Sequence, residues 1–180
     1  MKWLIASDIH GSAYYCHALL EAYRREGADR LLLLGDFLYH GPRNDLPRDY
    51  DPKQVIAMLN GYGADILAVR GNCDAEVDQM VLNFPLMADY ALLPVGKRLM
   101  FVTHGHLFNK DHLPPLHKGD ILLHGHTHVP ACEDHPDYIY FNPGSVSLPK
   151  EGLQPSYMTL EGTTVSWKTL AGEVRHSRTL

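Results

Sequence analysis

One pattern recurs along the chain and constrains its fold more than any other feature. A short apolar run that is prone to form a strand ends in a cluster of Asp, Asn, His and Gly, and this happens after residues 3–6, 31–34, 66–69, 99–102 and 121–123. The run of four leucines at 31–34 is typical of a strand that is covered on both faces. The pattern predicts a sheet-based core with polar loops at the ends of its strands.

Two helices are predicted between these runs. Residues 13–25 carry apolar side chains near helical spacing, and Gly27 favours a helix end directly after them. Residues 52–60 show the same spacing, with Asp51 as the candidate N-cap and Pro52 at the first helical position. Strands that alternate with helices in this way indicate an α/β protein.

The other segments are predicted to form a long loop and exposed strands. Residues 40–52 are rich in Gly, Pro, Arg and Asn, and a loop of this length in a compact domain is more often functional than idle. Alternating apolar and polar residues predict antiparallel strands of a half-exposed sheet over residues 138–141, 156–160 and 163–170.

Composition and charge limit the domain organisation and the kinds of partner. The chain has 180 residues, of which 45% are apolar, so it can bury one sizeable core; no linker stands out, and we predict a single domain over residues 1–180. The net charge is −5 and no run of Lys or Arg exceeds two residues, which argues against binding of duplex nucleic acid. A small anionic substrate would need positive charge from a metal instead.

The cysteines and the first residues indicate a cytoplasmic protein. Cys16, Cys73 and Cys132 form neither a CxxC pair nor an even framework, which favours reduced thiols. The apolar stretch at residues 3–6 is too short for a signal peptide or a membrane span. We therefore expect a cytoplasmic location and no membrane partner.

Seven residues of the polar clusters are candidate metal ligands. The loops at the carboxyl ends of strands meet at one edge of an open α/β sheet, and ligands bind in the crevice that they enclose. Pairs separated by one residue are expected to point the same way from an extended backbone. Imidazoles, carboxylates and an amide suit Mn²⁺, Zn²⁺, Fe or Ni better than Ca²⁺ or Cu(I). With Asp36 as a bridge, the seven form two sites of four ligands each, as in two-metal hydrolases. The candidates are Asp8, His10, Asp36, Asn72, His104, His126 and His128.

The motifs that contain these residues resemble those of a known superfamily. Each motif alone is weak, but five in fixed order after apolar runs are specific. They resemble the calcineurin-like metallophosphoesterase superfamily, and more narrowly its small bacterial phosphodiesterases of the YfcE type, over nearly the whole chain. The five motifs are Asp8-x-His10, Gly35-Asp36, Gly71-Asn72-Cys73-Asp74, His104-Gly105-His106 and Gly125-His126-Thr127-His128, and His40-Gly41-Pro42-Arg43-Asn44 and Phe141-Asn142-Pro143-Gly144-Ser145 resemble that group as well.

The resemblance implies a fold, a metal centre and a reaction. The fold would be a four-layer αββα sandwich, in which two mixed β-sheets are flanked by helices. Two divalent ions are expected, with Mn²⁺ favoured over Zn²⁺, Ni²⁺ or Fe. A hydroxide between them would attack a small phosphodiester in line, while the metals and Asn72 take up charge on the non-bridging oxygens. Asp8, His10 and His128 would hold the first ion and Asn72, His104 and His126 the second, with Asp36 as the bridge.

One position departs from the family pattern. Many members have a His after the Asn of the GN motif, which is thought to protonate the leaving group, whereas this chain has Cys73. A thiol is a poor substitute, because its ordinary pKa near 8.5 and its weak hydrogen bonding suit the task badly. We therefore expect a preference for diesters with good leaving groups, including aryl phosphodiesters, and little activity on alkyl monoesters.

Other polar residues receive less specific predictions. His106 is expected to support the site rather than to bind metal, and His124 to pack on its strand. Arg43, in the long loop, is either a phosphate-binding residue or a surface charge. Residues 142–145 are expected to form a turn that buttresses the site.

Two other functions and one kind of partner remain open. Relatives of this fold act as scaffold subunits with a degraded metal centre, although all seven ligand positions here hold capable side chains. A metal-dependent nuclease is the second alternative, which the acidic balance disfavours. Self-association into a homo-oligomer is left open, with Tyr14, Tyr15 and residues 84–87 either in a contact patch or in the core.

Overall fold

Two mixed β-sheets stand face to face in the computed structural model, which describes residues 1–180. Three helices and one short 3₁₀ turn (Gly63–Asp65) connect the strands. The helices are α1 (Ala13–Glu26), α2 (Pro52–Asn60) and α3 (Glu76–Val81). The strands are β1 (Lys2–Ala6), β2 (Arg30–Leu33), β3 (Ile66–Ala68), β4 (Tyr90–Val95), β5 (Arg98–Thr103), β6 (Asp120–Leu123), β7 (Ala131–Asp134), β8 (Tyr138–Asn142), β9 (Ser156–Glu161), β10 (Thr164–Thr169) and β11 (Val174–Thr179).

Each sheet contains three parallel neighbours. The first sheet has the order β11-β10-β9-β1-β2-β3, in which β1, β2 and β3 are parallel and the other pairs are antiparallel. The second has the order β4-β5-β6-β8-β7, in which β5, β6 and β8 are parallel and the two edge strands are antiparallel. Parallel strands place their carboxyl ends at a common edge, so the loops that follow β1, β2 and β3 lie together, as do those that follow β5 and β6.

The core lies in two layers on either side of the first sheet. Ile5 and Leu32 face the second sheet and pack with Met100 and Ile121, whereas Leu4 packs beneath the helices. Successive strand residues point to opposite faces, so β1 and β2 are apolar on both sides. This explains the continuous apolar runs and confirms that the strand at 31–34 is covered on both faces.

The first two helices begin and end as the sequence predicts. Ser12 caps α1 by accepting a hydrogen bond from the Tyr15 N–H (3.2 Å), and Gly27 ends it with a left-handed φ of 58°. Asp51 caps α2 by accepting from the Gln54 N–H (3.1 Å). No helix in the structure has the length and apolar character that crossing a bilayer would require.

The two mixed sheets confirm the predicted fold, but the layer outside the second sheet is not helical. No helix occurs after α3. Residues 104–119 cover this face instead, where Phe108 and Leu116 pack on a cluster that includes Phe101 and Tyr140. Residues 84–87 were considered either as part of a contact patch or as core. Phe84 is 1% exposed, so this part of the segment belongs to the core.

The prediction for residues 138–141 was correct only in part. Strand β8 pairs antiparallel with β7, as expected, but it runs parallel to β6 and is buried along its whole length instead of half-exposed. The Tyr140 hydroxyl is buried and accepts a hydrogen bond from the Asn142 side chain (2.9 Å), so this tyrosine does not mark a solvent-facing side. Strand β9 is also largely buried, whereas β10 alternates as predicted.

Candidate metal centre

The seven candidate ligands come from loops that follow five strands of the two sheets. Four of the ligands follow strands of the first sheet: Asp8 and His10 follow β1, Asp36 follows β2 and Asn72 follows β3. Three follow strands of the second sheet: His104 follows β5, and His126 and His128 follow β6. The site therefore spans the line where the two sheets meet.

The backbone at these residues is not extended. Five of the seven have the left-handed φ that non-glycine residues rarely adopt. Residues in such conformations cost of order 1–3 kcal/mol each and cluster at functional sites. The expectation that each pair extends from a strand was wrong, although the side chains do converge. The five are Asp8 (61°), His10 (50°), Asp36 (57°), His126 (65°) and His128 (64°).

The first group of donors surrounds His10. Its Nε2 lies 3.2 Å from Nε2 of His128 and 3.6 Å from Oδ1 of Asp8. The same Asp8 oxygen lies 3.3 Å from Nε2 of His128. These three side chains are almost fully buried, and their ligand atoms lie within 4.8 Å of one another.

The second group surrounds His104. Its Nε2 lies 3.1 Å from Oδ1 of Asn72 and 3.1 Å from Nδ1 of His126. Asp36 lies between the two groups, with its Oδ2 3.6 Å from Nε2 of His10 and 3.5 Å from Nε2 of His104. One carboxylate oxygen can therefore serve both groups, as the bridging prediction requires.

The proton positions of the imidazoles fit cations in both groups. Nδ1 of His10 lies 2.8 Å from the Tyr39 carbonyl, and Nδ1 of His104 lies 2.7 Å from that of Leu34. A carbonyl can only accept, so each Nδ1 carries a hydrogen, and in the neutral imidazole each Nε2 then presents a lone pair. His128 is held in the same way by the Leu148 carbonyl (2.6 Å). Nε2 of His10 and Nε2 of His128 therefore face each other, and the neutral imidazoles direct both lone pairs to a point where a metal ion would accept them.

Electrostatics act on the candidate ligands in different directions. Burial would lower the pKa of His10, but the Asp8 and Asp36 carboxylates raise it. Burial alone would raise the pKa of Asp8, but the His10 and His128 imidazoles lower it well below its usual value. Its Oδ1 is buried and has no hydrogen-bond partner. Burial and then the neighbouring His104 lower the pKa of His126 to about 4, so that His126 is neutral at pH 7 and can donate a lone pair.

Two glycines allow the loops to approach the ligands. A side chain at Gly71 would collide with the Asp36 carboxylate, and one at Gly125 would collide with Ser7. Both glycines belong to motifs identified in the sequence. Because they have no side chain, the backbone at these positions can lie close to the neighbouring ligand loops.

Two supporting residues, Asp74 and Ser147, were not assigned a role from the sequence, whereas Ser145 belongs to the turn that was expected to buttress the site. Asp74 accepts hydrogen bonds from the backbone N–H groups of Asp36 (2.8 Å), Phe37 (2.8 Å) and Gly71 (2.7 Å), and so ties two ligand loops together. The hydroxyls of Ser145 and Ser147 both donate to the Asp8 carbonyl (2.9 and 3.0 Å). A carboxylate directly after the GN motif was the available signal for Asp74.

The Asn142 side chain supports the loop that carries two ligands. Its amide nitrogen lies 2.8 Å from the Gly125 carbonyl and 3.0 Å from Oγ1 of Thr127. Its oxygen accepts from the Gly144 N–H at 2.8 Å. The 142–145 turn therefore contacts both the β6 loop and the Asp8 backbone.

The residues outside the ligand set lie at different distances from the centre. The Cys73 N–H donates to Oδ1 of Asp36 at 2.8 Å, and Sγ lies 3.3 Å from Nδ2 of Asn72. Arg43 is exposed and makes no ion pair, but its loop reaches the site, because Gly41 lies against the Cys73 sulfur. His106 lies beside His104, with ring centroids 5.4 Å apart. His124 is 2% exposed and stacks on Tyr140, in agreement with its predicted packing role.

Comparison with known proteins agrees with this geometry. The chain is 48% identical to phosphodiesterase YfcE of Escherichia coli (strain K12) over 166 residues, which cover 92% of this chain and 90% of that protein. It is 34% identical to the probable metallophosphoesterase YsnB of Bacillus subtilis, with coverage of 96% and 93%. A solved structure of YfcE, described as a phosphoesterase from E. coli, matches with a TM-score of 0.95 and 44% identity over 99% of both chains. Vps29 of Entamoeba histolytica shares the fold with a TM-score of 0.63 at 20% identity.

The family assignment follows from a match over most of the chain. The model of the calcineurin-like phosphoesterase superfamily domain matches residues 1–164, which include all seven candidate ligands. This protein therefore belongs to the calcineurin-like phosphoesterase superfamily.

Proposed function

We propose that this protein is a metal-dependent phosphodiesterase that hydrolyses small phosphodiesters at the centre formed by the seven ligands. The position of Asp36 between His10 and His104 carries the proposal, because a shared carboxylate oxygen is what a pair of ions requires. The similarity to phosphodiesterase YfcE supports the same activity. This choice of substrate class also agrees with the net negative charge, which disfavours long polyanions.

The residues fit two divalent ions with nitrogen and oxygen ligands. Asp8, His10 and His128 would hold one ion and Asn72, His104 and His126 the other, with Asp36 shared. Mn²⁺ is the proposed ion, and Zn²⁺, Ni²⁺ and Fe suit the same donors. When bound, such ions lower the pKa of water and offset the charge on phosphoryl oxygens.

Asn72 has two tasks in this proposal. Its Oδ1 faces His104, and its amide nitrogen, which donates one hydrogen to the Cys73 sulfur (3.3 Å), keeps a second N–H as a donor. The residue is exposed, and its nitrogen can donate to a non-bridging oxygen of the substrate. Arg43 is proposed to attract the phosphate from the neighbouring loop, because it is exposed and unpaired there.

Cys73 would limit the range of leaving groups. It occupies the position next to Asn72, and burial and then the Asp36 charge raise the pKa of its thiol. The thiol therefore keeps its proton and is a weak hydrogen-bond donor. Leaving groups that need no protonation, such as aryl oxides, are the proposed preference.

The test is hydrolysis of an aryl phosphodiester by chelated protein after Mn²⁺, Ni²⁺, Zn²⁺ or Mg²⁺ is added back singly. Activity should return with at least one of Mn²⁺, Ni²⁺ and Zn²⁺. The matched variant is Asp36→Asn, because Asn tolerates the left-handed φ at this position while it removes the charge. Its activity should fall by at least about 10²-fold, and bound metal should fall with it. Full activity of this variant, or full activity in chelator, would contradict the proposal.

The two alternative functions predict different results in the same assay. A scaffold protein would purify without metal and would not regain activity on reloading. A nuclease would cleave single-stranded DNA while it leaves small diesters intact.

We also propose a cytoplasmic location, because all three thiols are free. Self-association stays a prediction, to be measured by sedimentation.

A further inference from the structure

The sulfur of Cys73 lies beside the candidate metal ligands, although the set predicted from the sequence contains no cysteine. Sγ of Cys73, an imidazole nitrogen of His10 and a carboxylate oxygen of Asp36 all lie within 4.8 Å of one another. We infer that Cys73 binds thiophilic divalent cations such as Cd²⁺ and Zn²⁺ together with His10 and Asp36. The inference rests on the proposed function, because two of the three groups are proposed ligands of the catalytic ions.

The three groups are close enough to meet at one ion if the Cys73 side chain moves. Zinc lies about 2.3 Å from sulfur and about 2.0 Å from nitrogen or oxygen, so the ligand atoms of a tetrahedral ion are about 3.3–3.6 Å apart. The three ligand atoms lie within 4.8 Å of one another, so rotation of the Cys73 side chain toward His10 and Asp36 would complete the set. The hydrogen bond from the Cys73 N–H to Asp36 (2.8 Å) holds the residue beside that carboxylate.

The surrounding groups favour a cation at this place. Nδ1 of His10 is bonded to the Tyr39 carbonyl, so Nε2 presents its lone pair to the cleft. Behind it, Asp8 is fully buried, and its Oδ1 has no hydrogen-bond partner. That oxygen is directed at His10 and His128, at 3.6 and 3.3 Å. A buried acceptor without a hydrogen-bond partner therefore lies directly behind His10, one of the three proposed ligands.

The chemistry separates soft cations from hard ones. Thiolate selects soft ions, whereas carboxylate, carbonyl and water suit Mn²⁺ and Mg²⁺. Binding replaces the hydrogen of the thiol: the sulfur lone pair forms the bond to the cation and the proton passes to the buffer. Mn²⁺ leaves the thiol protonated. Cd²⁺ or Zn²⁺ at this place overlaps the proposed first ion and inhibits the Mn²⁺-loaded protein.

The experiment is a Cd²⁺ titration of the chelated full-length protein. The readout is the ultraviolet thiolate-to-cadmium charge-transfer band, which depends on a sulfur ligand and not on activity. The variants are Cys73→Ser and, as the matched control, Cys132→Ser, since Cys132 is also a free, half-buried thiol. The wild type and the control should show the band with release of one proton, whereas Cys73→Ser should show neither. Its Cd²⁺ affinity should fall at least about tenfold, while its Mn²⁺ affinity stays close to that of the wild type.

A measurement on the wild type alone guards against misfolding of the variant. Cd²⁺ should protect Cys73 from alkylation, as read by mass spectrometry, and leave the labelling of Cys132 unchanged. Cd²⁺ binding without the band, or a band that persists in Cys73→Ser, would overturn the inference. Failure of the proposed function would give a different result. The protein would bind Mn²⁺ without hydrolysing diesters, and Cd²⁺ would still produce the charge-transfer band. A protein that binds neither ion would overturn both.

Discussion

At the scale of single residues, Cys73 is proposed to limit protonation of the leaving group. Cys73→His would place an imidazole beside Asn72, where it can donate a proton more strongly than a thiol. General acids contribute typically about 10²–10⁴-fold, so kcat/KM for diesters with alkyl leaving groups should rise by about 10²-fold. Rates for aryl leaving groups should change little, because they need no proton. The measurement is kcat/KM against leaving-group pKa for both proteins.

The control for this prediction is another cysteine. Cys132 lies on β7 next to Arg178, with Sγ 3.9 Å from the guanidinium, and is not among the candidate metal ligands. Cys132→His should keep the leaving-group dependence of the wild type. An unchanged slope in Cys73→His would show that the residue does not limit protonation.

The convergence of the candidate ligands could be predicted from the sequence, but their backbone conformation could not. Asp8 and His10 were expected on extended backbone, yet both have positive φ. Sequence spacing shows which side chains are neighbours along the chain. It does not show the backbone conformation, because both an extended and a left-handed backbone can bring such side chains together. A left-handed histidine has no local signal, since tertiary contacts impose it. Its support, such as the Tyr39 carbonyl that holds His10, comes from a distant loop.

At the scale of elements, Asn142 connects the end of β8 to the loop after β6. Asn142→Ala would remove one of two hydrogen bonds to the buried Gly125 carbonyl, which also lies 2.9 Å from Nδ1 of His124, and the loss of such a bond costs about 0.5–1.5 kcal/mol. The loop holds His126 and His128, so affinity for metal should fall about 10–100-fold. Metal titration and urea unfolding of the same variant measure the two effects.

A neighbouring substitution separates support of the loop from loss of packing. Tyr140→Phe removes the hydroxyl that accepts from Asn142 (2.9 Å) but leaves the bond from Asn142 to Gly125 in place. It should cost about 1 kcal/mol in stability and leave metal affinity unchanged. Equal losses of affinity in both variants would argue against a specific role for Asn142.

The strands that the sequence did not predict lie mostly at sheet edges. β4, β7 and β11 are partly exposed, and only one side of each pairs with a neighbour. Their polar or mixed residues follow neither a buried run nor strict alternation, so local pattern cannot identify them. The register of the neighbouring strand decides their conformation, as Glu133 opposite Tyr140 illustrates.

The end of α1 is fixed to the first sheet by Glu26. Its carboxylate contacts Nζ of Lys168 (2.8 Å), Nζ of Lys2 (3.0 Å) and the Tyr157 hydroxyl (2.7 Å). Burial would raise the pKa of Glu26, but Lys168, Tyr157 and Lys2 together lower it to about 2 from 4.5. A pKa depressed in the folded state stabilises the fold above pH 4.5, and this contribution is lost as the pH falls toward 2.

Glu26→Gln should therefore lower the free energy of unfolding at pH 7, by about 1–3 kcal/mol, with a difference from wild type that shrinks toward zero near pH 2. Urea unfolding in chelator at several pH values measures this difference. Glu21→Gln is the matched control, because Glu21 lies on the same helix in an exposed pair with Arg24. It should cost less than about 0.5 kcal/mol. A constant difference across the pH range would show that Glu26 does not titrate as described.

At the scale of the whole molecule, the metal centre joins the two sheets. Asp8, His10, Asp36 and Asn72 belong to loops of the first sheet, and the other three ligands belong to the second. Asp36 approaches His104 across this junction at 3.5 Å. Ions bound here would connect the two sheets. Without ions, the strained backbone and the facing lone pairs of the ligand atoms disfavour close contact between the loops of the two sheets. Metal binding should therefore be coupled to global stability, which no pattern along the sequence shows.

Chelated protein should unfold at a lower temperature than the Mn²⁺-loaded protein. An ion at 100 times its Kd stabilises the native state by about 2.7 kcal/mol, which corresponds to a rise in Tm of roughly 5–10 °C for a chain of this size. Hydrogen exchange should slow in loops of both sheets, around Asp36 and around His126, because the ions bridge them. In Asp36→Asn, which keeps a residue tolerant of the left-handed φ, the Tm should not depend on Mn²⁺. A rise of the same size in this variant would mean that Mn²⁺ stabilises the protein elsewhere, and slower exchange in one sheet alone would mean that the ions do not join the two.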